Sequence, residues 1–380
     1  MKFLSRGGAM VATVDPMIAA LLAAAAISAA CDLEAPSGAP GCTRAAVDAL
    51  PMNALQAVGT HNSYKLAIAP AEMALLRAAN PRQADALDYA HRPLAEQLDD
   101  GARQLEIDLL NDPETGRYAD PVFHRLAKAA QPYDFAPLRK PGLKVLHVQD
   151  LDYRSACPTF AECLRQVRAW SAAHPDHAPI LILLNLKEGP VPIPGAKTAA
   201  AFDAAALDAI DAEIRGVFPD DALITPDKVQ GRHPTLREAV AAGAWPKLGA
   251  ARGKVMFACD CEPAQVARYR GDRKVLEGRV AFVNIEETSP AAGYITLNDP
   301  MAQQARIAAA LKAGLIVRTR ADADTAEART GDRSRQAAAF ASGAQYVSTD
   351  YMRPDPRFPA YAVRLPDGLA ARLSPGSPRR

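Results

Sequence analysis

Short apolar runs rich in branched aliphatic residues recur along the chain: "ALQAVGT" (54–60), "RQLEIDLL" (103–110), "LKVLHVQ" (143–149), "APILILLNLK" (178–187), "KVMFACD" (254–260), "AFVNIEE" (281–287), "GLIVRTR" (314–320) and "AQYVSTD" (344–350). Between most of them lie segments with apolar residues at helical spacing, such as "PLAEQLDDGA", "TFAECLRQVRAWSAAH", "TAAAFDAAALDAIDAEIRGVF", "DPMAQQARIAAALKA" and "RSRQAAAFASGA". Strands that are apolar at nearly every position are buried on both faces, as in a parallel sheet covered by helices. Strands alternating with amphipathic helices mark an α/β fold. Eight repeats of that unit predict a closed (β/α)8 TIM-type barrel over residues 54–353, a length within the range of that fold. A doubly wound open sheet is the alternative, but no Gly-rich phosphate fingerprint follows the first strand. The Pro-rich stretch 354–380 is expected to wrap this single catalytic domain as an extended C-terminal tail.

Composition narrows the setting. A chain of 380 residues, 49 % hydrophobic and 23 % charged, is globular, and one large barrel accommodates its length. Its 44 basic and 43 acidic residues leave a net charge of +1, so no global field draws it to nucleic acid or to an anionic membrane. Residues 1–30 read as a secretion signal: Lys2 and Arg6 precede an uncharged apolar run from Met17 to Ala30, too short to span a bilayer, and small Ser28 and Ala30 suit cleavage before Cys31. Asp15-Pro16 interrupts the pattern and leaves translation starts at Met1, Met10 or Met17 open; an Ala-rich helix inside the domain is the competing reading. Lipoprotein anchoring at Cys31 is disfavoured, because Ser28 stands where such signals usually carry Leu. The mature protein is expected to be secreted or periplasmic, soluble and monomeric. In an oxidising compartment Cys31 with Cys42, bracketing a lead-in segment over 31–53, and Cys157 with Cys163 are expected to form disulfides. Pairing of Cys259 with Cys261 is left open. A zinc site would need closer clustering with His than any of the seven histidines supplies.

In a β/α barrel the active site is built from the carboxyl ends of the strands. Those ends carry Thr60, His61, Asn62, Ser63 and Tyr64; Glu106 and Asp108 on one face; His147; Asn185 and Lys187; Asp260; Asn284 and Glu286; Arg318 and Arg320; and Ser348 and Asp350. A structural reading is available for each: Glu106 and Asp108 can pair with Arg318 and Arg320 in a salt-bridge network, Asn185 can be a loop hydrogen-bonder, and Tyr64 packing. His91, His124, His174, His177 and His233 are expected at the surface or at helix caps. Together, however, the set makes chemical sense. Asn62, Glu106, Asp108 and Asn185 offer only oxygen ligands, which suits a hard cation, calcium before magnesium. Lys187, Arg318 and Arg320 offer donors to phosphate oxygens, and His61 and His147 can exchange protons on either side of a phosphodiester.

These residues sit in stretches, "GTHNSY", "LEIDLLND", "VLHVQDLDYRSACPTFAECL", "ILLNLKE", "VRTRADADTAEAR" and "SGAQYVSTDY", that resemble the bacterial calcium-dependent phosphatidylinositol-specific phospholipase C family, related to the catalytic barrel of eukaryotic phosphoinositide phospholipase C. The resemblance runs from about residue 52 to 353. It implies a barrel, a Ca2+ ion, and cleavage of a phosphatidylinositol-type lipid by the substrate's own 2-hydroxyl into diacylglycerol and a cyclic inositol phosphate. By position it makes His61 and His147 catalytic and Asn62, Glu106 and Asp108 metal ligands. The eukaryotic pattern carries Glu at the end of strand four where this chain has Asn185, which lowers the ligand charge; Glu188 points away by strand parity. His61 is expected to face the developing charge and His147 to protonate the leaving oxygen, with the base unassigned. A glycerophosphodiester phosphodiesterase is a second reading, although such enzymes usually show His-Arg where this chain has His61-Asn62. A non-catalytic secreted lipid- or glycan-binding barrel is a third. Metal-independent bacterial lipases of this type lack the Glu-x-Asp pair. The loop "GPVPIPGA" after strand four either touches a membrane surface transiently or serves as a Pro-rich linker.

Overall fold

The computed structural model describes residues 27–127, 131–358 and 360–377, so the expected secretion signal over residues 1–30 lies almost wholly outside the described residues. Numbered along the chain, the strands are β1 (Leu55–Thr60), β2 (Gln104–Leu110), β3 (Lys144–Val145), β4 (Ile180–Lys187), β5 (Leu223–Ile224), β6 (Val255–Cys259), β7 (Ala281–Val283), β8 (Tyr294–Thr296), β9 (Ile316–Arg320), β10 (Tyr346–Thr349) and β11 (Ala371–Leu373). Eight of them run parallel in one curled sheet, in the order β7-β6-β4-β2-β1-β10-β9-β8. A single parallel bridge, Asn284 to Tyr294, lies between β7 and β8. β5 shares with β7 the far edge of β6.

The strands form where aliphatic residues are nearly continuous, and β1, β2, β6 and β10 are buried at every position. Leu105, Ile107 and Leu109 of β2 pack into the main apolar core with Phe160, Leu164 and Val167 of the helix Phe160–Ala173. That helix buries Phe160, Cys163, Leu164, Val167, Trp170 and Ser171, a stripe at helical spacing. The alternate residues of β2, Glu106 and Asp108, are thereby turned to the opposite face of the sheet.

Two expectations about the strands need correction. The run 143–149 is not a member of the parallel sheet: only Lys144 and Val145 are extended, and they pair antiparallel with Leu110 and Leu109 at the end of β2. Beyond Val145 the chain folds back at once, with the His147 and Val148 amides donating to Asp152 O and Asp150 in a left-handed conformation at φ 68°. The eighth parallel strand is instead β8, three residues inside "GYITLNDP" and too short to stand out as an apolar run. The C-terminal stretch also contains a strand: β11 lies antiparallel along the first half of β1, and Tyr361, Val363 and Leu365 are buried on the way to it.

The segment from Cys31 to Asn53 packs near the amino ends of the strands. Cys31 is bonded to Cys42. Glu34 accepts from Arg103, just before β2, and at 2.7 Å from the amide of Ala178, just before β4. Arg103 lies 4.9 Å over the Trp170 ring. His177, expected at the surface, is buried here instead, its ring nitrogens 2.8 Å from Ser171 Oγ and 2.6 Å from Ala178 O. Cys157 with Cys163 and Cys259 with Cys261 complete the disulfides.

β1 and β2 approach most closely at Gly59 and Gln104. A Cβ added at Gly59 would fall inside the contact radius of the Gln104 carbonyl oxygen, so only glycine lets β1 deliver its carboxyl end onto β2. Gly59→Ala is expected to lower the unfolding free energy by about 2 kcal/mol through overpacking, read from denaturant midpoints; an unchanged midpoint would mean that the strands separate freely.

Candidate active site

The turn after β1 is locked from several sides. Asn62 adopts a left-handed conformation at φ 50°, which asparagine tolerates better than most residues. Ser63 ties the turn to β2, its Oγ accepting from the Glu106 amide at 2.7 Å and its amide donating to Glu106 O at 2.9 Å. Buried Lys65 donates to Leu87 O at 3.0 Å and Tyr89 O at 2.7 Å, drawing the 87–91 loop beneath the turn. Tyr89 then stacks against His61, with centroids 6.1 Å apart, and its hydroxyl accepts from Asn62 Nδ2 at 2.8 Å. His91, expected at the surface, instead donates from Nε2 to His61 O at 2.7 Å.

Both expected catalytic histidines are backed by aspartates. His61 Nδ1 lies 2.8 Å from Asp350 Oδ1, and since a carboxylate only accepts, the proton sits on Nδ1 and Nε2 carries a lone pair. Nε2 lies 3.4 Å from Arg320 Nη1 and 3.9 Å from Glu106 Oε1. Burial, reinforced by the Arg320 charge, holds the His61 pKa well below the ordinary imidazole range, Glu106 opposing. Arg320 in turn donates to Asp350 Oδ2 at 3.1 Å. His147 repeats the arrangement from the β3 excursion: Nδ1 lies 2.8 Å from Asp152 Oδ2, and Asp152 pairs with Lys65 at 3.4 Å. Burial alone would raise the Asp152 carboxyl, but Lys65 and His147 hold it below its usual range. Lys65, in the turn after β1, thus ties the loop that carries His147 and Asp152 to the turn that presents His61.

The acidic groups are met by resident cations. Glu106 Oε2 accepts from Arg318 Nη2 at 2.6 Å, with both side chains essentially buried. Asp108 Oδ2 lies 3.0 Å from Lys187 Nζ, an ion pair without hydrogen-bond alignment. The salt-bridge reading of Glu106 with Arg318 is thus realised, whereas Arg320 pairs with Asp350 and Asp108 with Lys187. Asn185 stands beside Asp108 in the β2/β4 register, half-buried. Glu188 faces away, accepting from the Phe202 amide and Arg268. Asp260 accepts from Asn284 Nδ2 at 2.9 Å, and burial pushes its carboxyl up.

The donor chemistry suits a hard cation. Asn62 Oδ1 and Asp108 Oδ1 are buried without hydrogen-bond partners, an unfavourable state that a cation would relieve. Among the described residues no three His, Cys, Asp or Glu side chains gather as a metal cluster, so such a site rests on two carboxylates with the amide oxygens of Asn62 and Asn185.

Several groups here escaped the sequence reading. Asp152 lies five residues beyond His147, within the quoted "HVQDLD", but its role depends on the tight reversal that returns it to the imidazole. Lys65, Tyr89 and His91 reach the site by chain folding alone. Asp322 sits behind Asp350, accepting from the Asp350 amide at 2.9 Å and from the Thr349 hydroxyl; burial and the Asp350 charge push its carboxyl up to about 7.

A family model described as phosphoinositide phospholipase C, Ca2+-dependent, matches residues 50–375. Among solved structures, a calcium-dependent phosphoinositol-specific phospholipase C from a Pseudomonas species is similar with a TM-score of 0.52 at 17 % identity, over 86 % of this chain and 96 % of that one. A Ca2+-dependent phosphatidylinositol-specific phospholipase C from Streptomyces antibioticus is similar with a TM-score of 0.54 at 20 % identity, over 86 % of this chain and 100 % of that one. At such identities these two likenesses speak to fold alone. No curated protein sequence matches the chain.

His61, His91 and His177 are all held below the ordinary imidazole value of 6.5 by burial, the latter two to about 4. The unfolded chain therefore binds protons first as pH falls. Stability from these groups is complete above about pH 6.5 and is lost toward pH 4, by at most about 1.4 kcal/mol per pH unit for each. Denaturant unfolding at pH 7.5 and 4.5 should show this decline less the opposing gain from Asp322, whose raised carboxyl takes up its proton in the folded state first, and His177→Gln should make the decline smaller; an undiminished decline would mean that His177 takes up its proton without cost.

Proposed function

The chain belongs to the Ca2+-dependent phosphoinositide phospholipase C family and is therefore a phosphodiesterase, and on that premise we propose that it cleaves phosphatidylinositol-type lipid into diacylglycerol and inositol phosphate through a cyclic phosphate. The observation that carries this reading is the pair of aspartate-backed imidazoles, His61–Asp350 and His147–Asp152, at a rim that also holds Arg318, Arg320 and Lys187. In the first step the inositol 2-hydroxyl oxygen attacks phosphorus and its proton passes to His61 Nε2. Asp350 fixes the tautomer that leaves this nitrogen free, and a phosphodiester anion beside Arg320 raises its basicity. As the bond from phosphorus to the glyceride oxygen breaks, His147 Nε2–H protonates that oxygen, Asp152 supporting the imidazolium beforehand. The imidazoles reverse roles when water opens the cyclic phosphate. Arg320 grips the phosphate and balances the charge that grows on it. Asn62, Glu106, Asp108 and Asn185 would hold calcium, whose chemistry is to neutralise phosphate charge and acidify a bound hydroxyl. Two free oxygens on this set support that assignment.

The same reading takes the curled sheet as a closed TIM-type barrel, supported by the Asn284–Tyr294 bridge, over residues 54–353, with the disulfide-bearing segment 31–53 at one end and a C-terminal tail from 354. Export to the periplasm or beyond is supported by three disulfides with no free cysteine among the described residues. The protein would act as a monomer that touches the lipid surface through loops at the carboxyl ends of the strands, where exposed Leu126 and residues 189–196 lie.

Release of water-soluble inositol phosphate from phosphatidylinositol vesicles tests the reading. His61→Ala and His147→Ala should each lower kcat by about 10² to 10⁴-fold, and chelation should abolish release. Variants within a few-fold of wild type, or hydrolysis confined to glycerophosphodiesters, would overturn it.

A further inference from the structure

Lys187 is set apart from the other cations at the rim. It lies on β4 two residues beyond Asn185 and on the same face, opposite Leu110 in register, and its ammonium is 3.0 Å from Asp108 Oδ2. Arg318 is buried and held at both ends of its guanidinium, by Glu106 and Asn298. Arg320 is held by Asp350. Lys187 has only the one unaligned contact, and its side chain keeps 27 % of its surface exposed. Neither oxygen of Asp108 accepts an aligned hydrogen bond, and among the described residues Lys187 is the cation paired with this buried carboxylate. A divalent cation entering between Asn62, Glu106, Asp108 and Asn185 therefore meets a positive charge already seated on one of its ligands.

We propose that Lys187 is a tethered competitor for the cation site: it occupies Asp108 in the cation-free protein, is displaced when calcium binds, and then turns to the phosphate of the substrate. This rests on the calcium-dependent reading above and adds to it a residue that sets cation affinity. The stem of four methylenes lets the ammonium swing between partners, as the fixed fork of an arginine would not. Since displacement frees a phosphate donor, the cation and a phosphodiester bind with positive coupling, and by linkage each tightens the other equally.

Calorimetric titration of the full chain with Ca2+, compared among wild type, Lys187→Met and Lys187→Arg, tests the idea without reference to turnover. Lys187→Met should bind Ca2+ at least about tenfold more tightly, because one like charge is removed from the site, with Lys187→Arg binding no more tightly than wild type. In wild type, saturating glycerophosphoinositol should tighten Ca2+ binding, and in Lys187→Met this coupling should fall to the smaller part that comes from direct contact between cation and phosphate. Circular dichroism and thermal melting in chelator establish that the variants are folded. Should Lys187→Met not fold, Lys187→Gln, which removes the same charge, is compared with wild type in its place. Equal or weaker Ca2+ binding by folded Lys187→Met, or no coupling in wild type, overturns the competitor role. Phosphatidylinositol hydrolysis, assayed separately, would leave the phospholipase reading standing in that case.

Discussion

The buried ion pair between Glu106 and Arg318 links β2 to β9 across the two strands that lie between them in the sheet, and the arrangement at the mouth depends on it. Removing both charges from water is costly, and such a pair is sustained only when its remaining donors and acceptors are also satisfied. Arg318 meets that condition at both terminal nitrogens, donating to Asn298 as well, while its Nε is left without a partner. The pair leaves Glu106 Oε1 free on the side of His61 Nε2. It thereby sets the local field at the His61 imidazole. Hydrophobic residues of similar volume would serve stability as well, so the pair is better understood through the position it imposes on Glu106 than through its contribution to folding.

Around that pair the two imidazoles are held by different means. His61 follows a rigid strand end, and its partner Asp350 follows the neighbouring strand β10, so their meeting is a consequence of sheet register. His147 lies outside the parallel sheet, on an excursion from the end of β2. That excursion is pinned by Lys144 to Asp112 and by Glu72, which accepts from the Tyr153 hydroxyl at 2.7 Å and approaches Arg154 at 3.3 Å. Lys65 joins the two halves, holding Asp152 with its ammonium while its own backbone belongs to the turn that presents His61. A single buried lysine thus couples the geometry of both imidazoles.

Much of this was legible in the chain itself. Near-continuous aliphatic runs such as "ILILLNLK" can be buried only between two covering layers, so a parallel sheet with helices followed from composition and spacing. Period-two alternation in "LEIDLL" put Glu106 and Asp108 on one face before any partner was known. The run around His147 misled because apolar content alone cannot separate a sheet strand from a short antiparallel flap, and β8 was missed because three residues carry too little pattern. The burial of His177, read as a surface or helix-cap residue, was not legible because a lone histidine has no periodic signature that reports burial.

The sequence by itself determined which chemical groups stand at strand ends, since strand parity and the alternation of elements are local properties that follow from backbone geometry. Only the tertiary structure decided their pairing: that Asp350 and Asp152 back the imidazoles, that Arg318 takes Glu106, and that Lys187 rests on Asp108. These partners lie on different strands and loops, from five to more than two hundred positions apart, and charge pairing over a few ångströms depends on how the sheet curls and which chain reversals it permits.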